Sequence, residues 1–155
     1  MPKSNLWEGV KGPFPKPLEV NVFEGIQANL REGCLYAEGE LARFEVSRLK
    51  DDNFEMREHA MICLKDFSEF MNVLETSIFH PADLDKVLKD KSFSAPFVAV
   101  VNGIRSNNFI GIFEKENIER KADSIWGNLD EIFLAKAKDY LLKAEIYCAA
   151  IHGQN

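Results

Sequence analysis

With 155 residues, an apolar share of 46% and a charged share of 28%, the chain has the size and composition of one globular domain with its own core. Its net charge of −6 argues against nucleic acid as a main partner, because phosphate binding needs a concentrated basic face. The most apolar stretch, residues 93–113, is interrupted by three asparagines and Arg105, which excludes a membrane-spanning helix there.

The N-terminal segment, residues 1–17, contains four prolines and two glycines. This composition cannot sustain a helix and favours extended backbone. We therefore predict an extended arm over residues 1–17 and a single helical-bundle domain over residues 18–155. Trp7 and Phe14 give the arm apolar side chains that could dock onto the bundle or onto a neighbouring subunit.

Two long helices are predicted next, from apolar residues spaced three and four apart. The first covers about residues 18–50 and the second about residues 54–78, with a break and an N-cap at residues 51–53. Gly33 lies near the apolar arc of the first helix, where it could admit a close helix neighbour. Residues 18–60 carry ten acids and five bases, which indicates either a solvated helix face or an acidic surface for a basic partner protein.

A short third helix is predicted at about residues 82–90, and residues 92–113 allow two interpretations. They can form a helix that begins around Pro96, which we favour because the rest of the chain is helical. Alternatively, residues 97–113 form a small β-hairpin with an Asn-Gly turn at residues 102–103. The predicted fold class is therefore all-α, an antiparallel bundle of long helices with an irregular third element. A mostly α fold with that hairpin is the alternative.

The last predicted helix covers about residues 115–151 and carries aromatic residues at every seventh position. It is long for a domain of this size, so it either breaks at residues 127–131 or packs against helices of similar length. Such a stripe is typical of a buried helix face, and it could also form a seam between subunits. The aromatic stripe consists of Trp126, Phe133, Tyr140 and Tyr147.

Three separated cysteines, Cys34, Cys63 and Cys148, lack the spacing of metal ligands. Each falls on or beside an apolar helix face, so we expect buried thiols. The chain also begins without the apolar core of a secretion signal. Together these features predict a reducing compartment, the cytoplasm.

No nucleophile, phosphate-binding loop or di-metal motif stands out in the chain, and we expect no cofactor. His59 and Asp66 share one edge of the second helix and come nearest to a metal or ligand site, but a metal would need further ligands from elsewhere. The polar stretch with Arg105, Asn107 and Asn108 is the predicted contact for a partner or ligand. A solvated turn is the alternative there.

Two hypotheses for the function follow. The first is a non-enzymatic helical domain, a regulator or adaptor, that binds a protein partner or associates with itself into a homo-oligomer. The second is a bundle that binds a small ligand or a metal, and that could be an enzyme, with a pocket lined by the aromatic stripe, His59 and Asp66. We favour the first, without nucleic-acid or membrane partners, because no catalytic site is evident.

Overall fold

The structure, a computed structural model, describes the backbone of residues 15–113 and 124–153 and the side chains of residues 15–113 and 134–150. Every element in these ranges is a helix, so the all-α prediction is confirmed. No helix among the described residues is both long and apolar enough to cross a membrane. The helices are α1 (Val20–Leu49), α2 (Asn53–Ser77), α3 (Pro81–Lys89), α4 (Lys91–Asn107), α5 (109–113, up to the gap) and α6 (Ser124–Gly153).

Helices α1 and α2 form an antiparallel pair, and their bounds agree with the prediction within two residues. Residues that recur every three or four positions on α1 bury one face of the helix, and Asp51 then reverses the chain with a φ of 58°. Asp52 caps α2, because its carboxylate accepts a hydrogen bond from the backbone N–H of Glu55 at 3.0 Å. The buried face of α1 consists of Phe23, Leu30, Cys34, Ala37, Leu41 and Phe44.

The segment at residues 92–113 is helical, so the hairpin alternative is wrong. Helix α4 begins at Lys91, capped by Asp90, rather than near Pro96, which lies inside the helix. The Asn-Gly pair at residues 102–103 is not a turn but a contact between helices. Gly103 has no Cβ, and this leaves room for Leu41 of α1 against the α4 backbone.

Helices α2, α4 and α6 share an aromatic core. The centroids of neighbouring rings in this core are 5.4 to 6.2 Å apart. In the described part of the aromatic stripe, Tyr140 and Tyr147 are buried, so these two positions belong to the core. Trp126 and Phe133 lie outside the described side chains. The rings of the aromatic core are those of Phe67, Phe70, Phe93, Phe97 and Tyr147.

The backbone of α6 stays helical through residues 127–131, so the predicted break there is wrong. The long helix instead packs along α2, α3 and α4. Residues 115–123, where we predicted the start of this helix, lie outside the described residues. The expected burial of the three cysteines is confirmed, and all three are free thiols.

Candidate interaction groove

A surface groove runs between α1 and α2, with a volume of about 190 Å³. We call it the α1–α2 groove. Five of its lining residues come from the middle of α1 and four from the second half of α2. The lining residues are Asn29, Leu30, Glu32, Gly33, Tyr36, Asp66, Glu69, Phe70 and Val73.

The floor of the groove is apolar because a buried side chain of each helix forms it, and the two helices are in contact at Gly33. A Cβ atom added at Gly33 would lie 3.4 Å from the Cβ atom of Phe70, which is ordinary van der Waals contact. Leu30 and Phe70 are 1% and 3% exposed, so their side chains form a closed base beneath the groove. An added Cβ would fit there without overlap, so the contact does not require glycine, and the role of Gly33 in admitting a close helix neighbour stays a prediction.

The rim of the groove is acidic and carries one phenol. The Tyr36 hydroxyl donates a hydrogen bond of 2.7 Å to Glu32, and the Tyr36 side chain stays largely exposed. Burial, and then the nearby carboxylates of Glu69 and Glu40, raises the pKa of Asp66 above its ordinary value. Burial is the largest of these causes, and Lys65 partly offsets the effect of the neighbouring acids on the pKa of Asp66.

Some carboxylates outside the groove have basic partners. Glu40 accepts from Arg43 at 3.0 Å, and Asp90 pairs with Arg31 at 2.9 Å. Among the described residues, no such ion pair involves the three rim carboxylates. The groove therefore combines an apolar floor with a rim of three carboxylates that form no ion pair among the described residues, Glu32, Asp66 and Glu69.

The groove includes Asp66 but not His59, the two residues that our second hypothesis placed in one pocket. Asp66 lies on the groove, whereas His59 Nδ1 contacts a carboxylate oxygen of Glu40 at 2.8 Å. Between them, the Cys63 thiol is buried and donates to the carbonyl oxygen of Ala37 at 3.3 Å. Within the described ranges, no three His, Cys, Asp or Glu side chains are grouped so that they could hold a metal ion.

The predicted contact residues Arg105, Asn107 and Asn108 lie at the end of α4 and not at the groove. Arg105 forms an exposed ion pair of 3.3 Å with Glu145 of α6. The Asn107 side chain donates to the Gly103 carbonyl at 2.8 Å. Asn108 adopts a left-handed conformation with a φ of 56° and ends α4.

The Asn108 side chain also accepts a hydrogen bond of 3.2 Å from the backbone N–H of Gly111, in the first turn of α5. The two asparagines therefore have local structural roles as helix-end residues, as is common for asparagine. Recognition of a partner by this stretch stays a prediction.

Sequence reasoning missed Tyr36, Glu32 and Glu69 as members of one site. The excess of acids over residues 18–60 pointed to α1, but it did not reveal the contribution of α2. Comparisons of the chain with protein-family models, with curated proteins and with solved structures find no match. A proposal about function therefore depends on the geometry of the groove.

Proposed function

We propose that this protein is a non-enzymatic helical interaction domain that binds a basic segment of a partner protein in the α1–α2 groove. The observation that carries the proposal is the combination of an apolar floor with three rim carboxylates that form no ion pair among the described residues. A peptide that presents lysine or arginine beside an apolar side chain complements both features. Exposed Tyr36 offers a ring face to the same cation, a further favourable contact.

The size and contents of the groove favour a protein partner over a small ligand. Pockets for small molecules usually have volumes of about 300–1,000 Å³ and enclose most of the ligand, whereas the groove volume is about 190 Å³. Tyr140 and Tyr147 of the aromatic stripe lie in the core and His59 lies outside the groove, so these residues do not support the pocket of our second hypothesis. A groove between two helices suits a peptide segment.

Self-association and a cytoplasmic location are further parts of the proposal. The free, buried thiols are compatible with a reducing compartment. Sedimentation velocity of the purified chain tests self-association, because a monomer and a dimer differ twofold in mass. A single species of 17.6 kDa at all concentrations would remove the homo-oligomer from the proposal.

The groove itself can be tested with a pair of labelled peptides. A fluorescein-labelled peptide of alternating lysine and phenylalanine residues should bind, as measured by fluorescence anisotropy, and a peptide of alternating glutamate and phenylalanine should not. Binding of the basic peptide should weaken as salt is added, because salt screens exposed charges.

A matched set of variants then locates the binding. The variant Glu32→Gln, Asp66→Asn, Glu69→Gln removes the rim charge. With about 0.5 kcal/mol for each exposed ion pair, the affinity for the basic peptide should fall about tenfold. A control with the same change of net charge replaces three acids away from the groove and should bind within about twofold of the original chain. Equal weakening in both variants would show that only the overall charge attracts the peptide. The control substitutions are Glu19→Gln, Asp51→Asn and Glu58→Gln.

A further inference from the structure

Helix α1 carries a second apolar face, on the side away from the core. Each of its residues follows a residue of the buried face of α1 by five positions, which places it about 140° around the helix. Leu35, Val46 and Leu49 on this face are 51%, 50% and 83% exposed. We call this surface the outer face of α1, and it consists of Leu35, Gly39, Ala42, Val46 and Leu49.

No other helix packs against the outer face in the part of the chain that the structure describes. A Cβ atom added at Gly39 would meet only the end of the Arg43 side chain, at 3.7 Å, and Arg43 belongs to α1 itself. A solvated helix face normally carries charged and polar residues, whereas none of the five residues of the outer face is charged or polar. The outer face therefore has the composition of a contact between helices.

The spacing of the outer face is that of a two-stranded coiled coil. Its residues are four, three, four and three positions apart, so they take positions d, a, d, a and d of a seven-residue repeat. Val46 takes an a position, and Leu35 and Leu49 take d positions. A β-branched residue at a with leucine at d favours two parallel helices. The pattern therefore indicates a second α1 helix, from another copy of the chain.

The charges beside the outer face select the parallel orientation. Glu38 and Glu45 flank it on one side at g positions, and Arg43 and Lys50 flank it on the other side at e positions. In a parallel pair, a g residue meets the e residue that comes five positions later in the other helix. Glu38 would then meet Arg43 of the second copy, and Glu45 would meet Lys50. An antiparallel pair would instead bring g residues to g residues and e residues to e residues, which are like charges.

These flanking charges are available to a second copy. Glu38 and Lys50 form no ion pair among the described residues. Arg43 and Glu45 pair only with residues of α1 itself, at 3.0 and 2.9 Å, and such exposed pairs contribute little to stability. Glu32 takes the a position before Leu35 and would face its own copy, so the contact begins after it.

We infer that two copies of the chain associate through the outer faces of α1, parallel and in register, from Leu35 to Leu49. At a rise of about 1.5 Å per residue this contact is about 21 Å long, which is short and makes the dimer a reversible one. The inference rests on the self-association in the proposed function and names its surface. Groove binding is a separate property, because no residue of the outer face lines the α1–α2 groove.

Sedimentation equilibrium of the full chain at several concentrations tests the orientation with charge-swapped variants. Glu38→Lys with Glu45→Lys removes all four ion pairs of the parallel dimer. At about 2.3-fold for each pair, the dissociation constant should rise about 30-fold. Arg43→Glu with Lys50→Glu should have the same effect, and an equimolar mixture of the two double variants should dimerise again. The chain with all four substitutions keeps the original net charge and should dimerise like the original. Double variants that dimerise as tightly as the original chain would overturn the parallel contact.

A second pair of variants tests the apolar part of the contact. Leu35→Glu with Val46→Glu should leave the chain monomeric, whereas Val20→Glu with Leu142→Glu should leave the dimer within about threefold of the original affinity. Both variants replace two exposed aliphatic residues and change the net charge equally. A dimer that persists in the first variant overturns the inference but leaves self-association through another surface, and an original chain that is always monomeric overturns both. The lysine-phenylalanine peptide should bind the monomeric variant within about twofold of the original chain, so the groove is tested separately from the outer face.

Discussion

Two glycines inside helices should respond in opposite directions to the same substitution, alanine. Gly25 lies on the exposed side of α1, and a Cβ atom added there would meet no atom within 4 Å. At Gly103 of α4, an added Cβ would overlap a terminal methyl of Leu41 and lie 3.2 and 3.3 Å from its Cγ and other methyl. Leu41 is 9% exposed, so its side chain has little space in which to rotate away.

The expected sizes follow from two opposing contributions. Alanine is favoured over glycine inside a helix by about 1 kcal/mol, and this gain applies at both positions. Overpacking of a core costs about 1–3 kcal/mol, and this cost applies only at Gly103. Gly25→Ala should therefore raise the free energy of unfolding by about 1 kcal/mol, whereas Gly103→Ala should lower it by up to about 2 kcal/mol.

Urea unfolding of the full chain measures both changes, and thermal unfolding supports them with a shift of about 2–4 °C per kcal/mol. Leu41→Ala supplies the control. Alone it should cost about 2–5 kcal/mol, but together with Gly103→Ala it should cost less than the sum of the two single changes. If Gly103→Ala stabilises the chain as much as Gly25→Ala, the close approach of α1 to α4 is wrong.

Two further predictions concern carboxylates. Asp83→Ala leaves the Leu18 N–H without its acceptor and should cost about 1–3 kcal/mol in urea unfolding, whereas Asp83→Asn keeps an acceptor oxygen and should cost less. Equal losses would show that the hydrogen bond does not matter. At Asp66, burial and then Glu69 raise the pKa, so the ionised side chain destabilises the fold at pH 7. Asp66→Asn should therefore be the more stable chain at pH 7. Its advantage should vanish as the pH falls below about 3.9, the ordinary carboxyl pKa, and an advantage that persists there would contradict an electrostatic cause.

Periodicity predicted the long helices because their burial repeats along a single segment. The apolar positions of α1 and α2 follow the helical period, and the Asp52 cap uses a local signal, so both are readable from neighbouring residues. Residues 97–113 were harder because Asn102 and Gly103 resemble a hairpin turn. Only the contact of Gly103 with Leu41, more than 60 positions away in the chain, explains why a glycine occurs inside that helix.

The acidic groove depends on a register between two helices that no single segment displays. Three contacts define this register: Gly33 with Phe70, Ala37 with Cys63, and Glu40 with His59. In each pair the two residue numbers sum to about 100, as an antiparallel pair joined by a short turn requires.

The same register sets Glu32 of α1 opposite the turn of α2 that carries Asp66 and Glu69. These acids look like ordinary solvated charges in the sequence, because each lies at the edge of its own helix and only the pairing brings them together. A shift of α2 by one turn would move Phe70 away from Gly33 and divide the rim, so the packing that closes the core also creates the site to which we assign the binding of a basic partner.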